Sequence, residues 1–388
     1  MLAALLLAVG CAAVLYIMAG YPLLLALLPA RGKPPVKKDL NHRPTVSIIL
    51  AIYNGAAHVR AKIDTIFALD YPRDLLQIIV VSDGSTDQSE AIVREYADRG
   101  VELYVQPHLG KASAVNLALE HATGEILFFT DIRQPLERMA LRHLAANFAD
   151  PEVGAVTGEM RLLKSETGEQ ADMDLYWRYE IWARGRQSAI DSLFNTTGCI
   201  YAMRRALAAP MRPDTLSDDA ALPLGAFFQG YRIIFDPEAI AYDYPALAGT
   251  EGRRRFRNLA GLWQTFAWNP QLFTRSRMRF HFLSHKFGRL MLPWALLLVL
   301  GASIALGFSA GEWWPLIVEA VVAALAGIDG LMPNGFPLKR LTSPARTFFV
   351  MNSASLCAVS VFFRPAERLW VPTKVKAGEQ PFPGSGVR

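Results

Sequence analysis

Residues 77–87 read QIIVVSDGSTD. The first five are an unbroken apolar run rich in β-branched side chains, the composition of a buried strand, and the run stops at Ser82, Asp83 and Gly84, which favour a turn. The same grammar recurs on both sides. Residues 46–51 (VSIILA), 101–105 and 125–129 (EILFF) also read as strands, and helical spacing of apolar residues marks 56–69, 88–99 and 111–121 between them. Strands alternating with helices predict an α/β domain with a mixed, mostly parallel sheet, whose ligands sit beyond the carboxyl ends of its strands. Asp83 and Asp131 both fall at such ends.

The flanks have another texture. Over the whole 388 residues, 52% are hydrophobic, and the mean hydropathy of +0.20 is high for a wholly soluble chain. Residues 1–30 carry no charge, and Arg31, Lys33, Lys37, Lys38 and Arg43 follow at once. An uncharged start, a run long enough to cross about 30 Å of hydrocarbon, and basic residues only after it predict an uncleaved transmembrane anchor. The positive-inside rule then puts residue 31 onward in the cytoplasm. Beyond the α/β domain come Arg253, Arg254, Arg255 and Arg257, then Trp263, Phe266, Trp268 and Phe273, then further basic residues to Arg289. Cations mixed with large rings suit interfacial helices, so the formal charge of +5 points to anionic lipid rather than nucleic acid.

Three apolar segments follow near 290–308, 313–332 and 346–363, then a tail with Arg364, Arg368, Lys374 and Lys376. If all three and the N-terminal helix cross, that basic tail lies outside, against the positive-inside rule. One of the last two segments is therefore expected to be re-entrant or interfacial. The expected order is a transmembrane helix (1–30), a basic linker (31–43), a cytosolic α/β domain (44–250), basic aromatic interfacial helices (251–289), transmembrane or re-entrant segments (290–363) and a basic tail (364–388). Cys11, Cys199 and Cys357 are far apart, which suggests neither a disulfide framework nor a thiolate metal site.

Several short motifs carry chemistry. Asp83 sits in the turn quoted above. Gly110 and Lys111 open a helix within GKASAVN, where a lysine and a helix N-terminus together suit phosphate. Asp131 begins DIRQ, and Ser217, Asp218 and Asp219 precede an apolar helical pattern. Each has a plainer reading: a turn, a solvated lysine, a helix cap. His285 reads as an interfacial residue, since His281 at i,i+4 brings no carboxylate with it.

Taken together, and with VSIILAIYNG at 46–55, these motifs resemble those of the family 2 inverting glycosyltransferases of GT-A fold, in their membrane-bound bacterial form, over about residues 44–290. The resemblance implies that Tyr53 borders the nucleotide base, that Asp83 contacts the uridine portion of a nucleotide-sugar donor, and that Lys111 faces its phosphates. Asp131 stands where the family's Asp-x-Asp metal motif begins. Arg133 replaces the second carboxylate, and an arginine cannot ligate a metal. The resemblance thus implies a divalent cation, Mg²⁺ or Mn²⁺, on Asp131; the alternative is that Arg133 neutralises phosphate directly in its place.

Asp218 and Asp219 resemble the family's Thr-Glu-Asp motif, which makes Asp219 the general base for the acceptor hydroxyl and puts Asp218 beside it on the acceptor side. Arg254-x-x-Arg257-Asn258 aligns with Gln-x-x-Arg-Trp, leaving Arg257 a phosphate role and Arg254 an acceptor-side place without the stacking Trp. Gly198, in NTTGCI at 195–200, resembles the acceptor-side segment. The implied activity is transfer from a UDP-sugar to a lipid-linked or polysaccharide acceptor at the cytoplasmic face of the bacterial inner membrane. A processive polysaccharide synthase and a non-catalytic nucleotide-sugar-binding subunit are the alternatives.

Overall fold

The computed structural model describes residues 1–28, 33–162, 170–243, 251–333 and 336–363, without the side chains of 170–176 and 251–253. Arg31, the tail 364–388 and the Arg253 side chain, all singled out above, lie outside the described residues. The chain divides into two compact units. Among the described residues, one takes 33–162 and 187–243, and the other takes 1–28, 170–186, 251–333 and 336–363.

Among the described residues the first unit is built on seven strands: β1 (Val46–Ile52), β2 (Leu76–Asp83), β3 (Val101–Gln106), β4 (Ile126–Phe129), β5 (Val153–Leu162), β6 (Tyr201–Arg204) and β7 (Arg232–Asp243). Their order is β3-β2-β1-β4-β6-β5-β7. Every pairing is parallel except those of β6, which runs against β4 and β5 and makes the sheet mixed. The apolar runs of β1, β2 and β4 are buried, as strands covered on both faces require. Ile52 pairs with Ser82, and Ile49 with Phe129. That register brings the loops after β1, β2 and β4 to one edge, which is where ligands of a parallel sheet bind.

Helix limits follow the sequence reading at 111–121, where the helix is Lys111–His121. The expected 88–99 helix is instead Ser89–Arg94 followed by a 3₁₀ turn, Ala97–Arg99. Gly100, at φ +79°, turns the chain there so that Val101 N–H bonds back to Tyr96 O at 3.3 Å, which ends the helix before the strand.

In the second unit four helices among the described residues are long and apolar enough to cross a membrane, by length and composition: Leu2–Leu27, Arg279–Ala310, Trp314–Leu331 and Lys339–Phe362. The last begins earlier than its apolar core because Asp329 satisfies its polar first turns. Thr342 Oγ1 donates to Asp329 Oδ1 at 2.8 Å, and Lys339 and Arg346 pair with the same carboxylate at 3.3 Å each. The helix Glu251–Trp268 carries Arg254, Arg255 and Arg257. It packs along the second half of the Lys339–Ala358 helix, with Arg255 against Met351 and the Trp263 ring 6.3 Å from that of Phe362.

His285 departs from the expectation. It is buried, its Nε2 lies 3.3 Å from Glu180 Oε2, and the Tyr21 ring stacks on it at 5.8 Å. Lys286 and Arg289 also pair with Glu180. The carboxylate missing from the local sequence comes from more than a hundred residues away, as the helix containing Glu180 packs in. Burial acts to raise the Glu180 pKa, but the cations around it outweigh that and hold it well below the usual carboxylate range.

Candidate active site

Asp83 closes β2, and Gly84 follows at φ +70°. A Cβ on Gly84 would stand 2.6 Å from the backbone nitrogen of His108, so only glycine lets the turn approach the next loop so closely. Through that approach Asp83 is drawn into the 106–110 loop. Its Oδ1 accepts from Gln106 Nε2 at 2.6 Å and Leu109 N at 2.9 Å, and its Oδ2 accepts from Gly110 N at 2.9 Å. His108 Nδ1 lies 2.9 Å from Oδ2 as well. The side chain of Asp83 thus organises the loop that starts the Lys111 helix. Tyr53 stacks on His108, with centroids 4.1 Å apart and planes 20° off parallel, so two rings stand together over the ends of β1 and β3. Neither Gln106 nor His108 stood out in the sequence; the only signal was their place at the end of a strand.

Gly110, at φ +94°, precedes the helix whose first residue is Lys111. Lys111 Nζ reaches Asp131 Oδ1 at 2.9 Å and Asp218 Oδ2 at 3.1 Å. Burial acts to lower the Lys111 pKa, but Asp131 and Asp218 more than reverse it and keep the ammonium charged. For Asp131, burial acts to raise the pKa, and Lys111, with Lys62 and Arg133 behind it, brings it below the ordinary value.

Asp218 and Asp219 form the first turn of the helix Asp218–Phe228. Ser217, at its N-cap, makes no side-chain capping bond, so the plain cap reading is not what this serine does. Asp219 is fixed through its backbone, whose carbonyl accepts from Thr196 N and Thr196 Oγ1 at 2.8 Å each. That ties the base motif to the NTTGCI segment. Asn116, on the Lys111 helix, makes a two-way clamp with Met211 at 2.7 and 2.8 Å, which holds the chain leading into Ser217. A small cleft is lined by Lys111, Thr130, Gly198 and Asp218.

Beneath it lies Lys62, which is buried and donates to Thr130 Oγ1 at 2.6 Å and to the Gln134 carbonyl at 2.5 Å. Burial pushes its pKa down to about 7, with Cys199 and Asp131 opposing. Sequence reasoning missed it, although a signal was present: Lys62 falls on the same helical stripe as Val59, Ile63 and Ile66, the buried face of the helix Ala56–Phe67. Arg133 Nη1 is buried and has no hydrogen-bond partner among the described residues. Such an orphan donor beside Asp131 suits an anion.

The structure thus gathers Tyr53, Asp83, Lys111, Asp131, Arg133, Gly198, Asp218 and Asp219 at one edge of the sheet. Arg254 and Arg257 lie on the helix Glu251–Trp268 of the other unit. Asp131 Oδ1 is taken by Lys111, whereas Oδ2 and the Asp219 Cγ lie 3.8 and 3.9 Å from where a Cβ on Gly198 would stand. These two carboxylates border one space, and a divalent ion completed by phosphate and water oxygens fits there with Asp131 as its ligand. A second cluster of possible ligands, His143, Asp236 and Glu238, is already filled by Lys38, whose ammonium lies 2.8 Å from Asp236 and 2.5 Å from Glu238.

Residues 47–209 match the family described as Glycosyl transferase family 2. The chain is 26% identical over 225 residues to probable glycosyltransferase YdaM of Bacillus subtilis (strain 168), which covers 55% of this chain and 54% of that protein. It is 22% identical over 222 residues to poly-beta-1,6-N-acetyl-D-glucosamine synthase of Staphylococcus aureus, at 53% of each. The chain therefore spans about half the length of the curated relatives it matches. Among solved structures it resembles the mannosyltransferase PcManGT from Pyrobaculum calidifontis in complex with GDP-Man and Mn²⁺, at 27% identity and TM-score 0.74, over 92% of this chain and 99% of that one.

Proposed function

We propose, from the family 2 glycosyltransferase domain that residues 47–209 form, that the chain transfers a sugar with inversion from a nucleoside-diphosphate donor to a lipid-linked or polysaccharide acceptor. The observation that carries the reading is the Lys111 ammonium seated between Asp131 and Asp218, with Asp219 next to them on the same helical turn.

In the proposed reaction the acceptor oxygen attacks the anomeric carbon from the face opposite the leaving group. The new C–O bond forms as the bond to the diphosphate breaks, and the acceptor proton passes to Asp219. Negative charge grows on the departing diphosphate, where Lys111 and the orphan Arg133 donor supply fixed positive charge. A divalent ion held by Asp131, when bound, adds charge neutralisation at the same phosphates. Its support here is the Asp131 geometry and the Mn²⁺ in the structure of PcManGT. The stacked rings of Tyr53 and His108 support a place for the base there, and Asp83 holds the loop that carries His108. For Arg254 and Arg257 the support is the motif alone.

The membrane helices support an acceptor carried at or in lipid, and the basic residues after the first helix support a cytosolic catalytic domain at the inner membrane. The sequence motif implies uridine, and the structural relative holds GDP-Man, so the deciding experiment takes both. Purified full chain is offered a panel of UDP-sugars and GDP-mannose with a membrane-lipid extract as acceptor source, and nucleoside diphosphate release is measured beside Asp219→Asn. Release by the wild type and not by the variant is expected. Equal release by both would overturn the role of Asp219, and no release with any donor would favour a binding subunit.

A further inference from the structure

We propose that Lys62 is a positioning residue for the 130–134 loop, holding it from beneath so that Asp131 and Arg133 are presented to the donor. The inference rests on the transferase reading for its purpose, but its geometry stands apart. Residues of the loop alternate. Thr130 and Gln134 are both bound by the one Lys62 nitrogen, at 2.6 and 2.5 Å. Ile132, between them, packs on Gly55 so tightly that a Cβ there would meet its Cδ1 at 2.2 Å. The even positions are thus fastened to the start and buried face of the helix Ala56–Phe67, and the odd positions are the two that bear charge. Asp131 meets Lys111, and Arg133 keeps a donor unpaired among the described residues.

The tether also reaches the far side of the cleft. Thr130 Oγ1 accepts from Lys62 and donates to the Cys199 carbonyl at 2.9 Å, next to Gly198. One side chain therefore links the donor loop to the acceptor-side segment. Packing alone does not call for it. The stem of Lys62 fills space that a methionine would fill, whereas taking an amine out of water costs free energy unless its hydrogen bonds accomplish something. What these bonds fix is the spacing of the loop ends.

The test uses the full chain in detergent, with Lys62→Met, Thr130→Val and the double variant. Backbone hydrogen exchange is read without donor, and kcat and donor KM with it. Loosening the loop is expected to speed exchange of the 130–134 amides while the amides of β1 and β2 keep their protection. The kcat is expected to fall at least about tenfold, since small misplacements of reacting groups cost that much or more. The two single variants remove one link, so their effects are expected not to add in the double.

Unchanged loop exchange, or exchange that rises equally across the sheet, would overturn the proposal, the latter by making Lys62 an ordinary core residue. Should Lys62→Met not fold, Thr130→Val reads the same loop with the lysine stem in place. Loop loosening together with a wild type that turns over no donor would sustain the role of Lys62 and overturn the transferase reading. Unchanged exchange in an active enzyme would do the reverse.

Discussion

Lys111 Nζ stands 2.9 Å from Asp131 Oδ1, and this contact joins the first residue of a helix to the loop that follows β4, the next strand in the chain. A fixed cation at that point is where charge on a leaving diphosphate is proposed to develop. Replacing Lys111 with Met is therefore expected to lower kcat by about 10²-fold or more, in the range found for losing one preorganised stabilising group. Steady-state release of nucleoside diphosphate checks it. A variant with kcat near that of the wild type would remove Lys111 from the donor side.

In the proposed site, Arg133 leaves Asp131 as the one carboxylate offered to a metal by residues 131–133. Chelation with EDTA is expected to reduce transfer at least about tenfold, and Mn²⁺ or Mg²⁺ to restore it, because a divalent ion on one carboxylate is completed by phosphate and water. Turnover indifferent to chelation would assign charge neutralisation to Lys111 and Arg133 alone.

Lys62 gives a pH dependence of stability with a definite sign. Unfolded, its amine keeps a proton up to about 10.5; folded, only up to about 7. Between those values the unfolded chain binds more protons, so stability rises with pH across that window and the penalty is complete below it. Thermal unfolding in detergent from pH 7 to 9.5 is expected to show a midpoint that climbs in the wild type relative to Lys62→Met. Parallel profiles would mean that the buried amine titrates as it does in water.

Glu180 holds Lys286 and Arg289 and meets His285, all within the second unit. Glu180→Gln keeps the shape and removes the charge, leaving the buried Lys286 ammonium and the half-buried Arg289 uncompensated. The expected loss is about 3–5 kcal/mol, seen as a lower unfolding midpoint of the purified chain. An unchanged midpoint would show that the cluster adds no net stability.

The helix Lys339–Ala358 packs beside the basic helix Glu251–Trp268 along its second half. An arginine-bearing helix belongs at head-group level, so its neighbour is proposed to stay there too and not to cross. A reporter fused after Arg388 is then expected to be cytosolic in bacterial cells. Reporter activity on the outer side would establish four crossings.

The alternation of strands and helices, the apolar segments at both ends and the places of Asp83, Lys111, Asp131 and Asp219 at strand or helix termini are legible in the order of residues. These are local properties, written in periodicities of two and 3.6 residues and in turn chemistry. Folding adds that Asp83 spends its carboxylate on the 106–110 loop, that Lys111 bridges Asp131 and Asp218, that Lys62 reaches Thr130 and Gln134, and that His285 finds Glu180. Each joins residues about twenty or more apart, and their meeting is set by strand register and helix packing, which no short stretch of sequence contains.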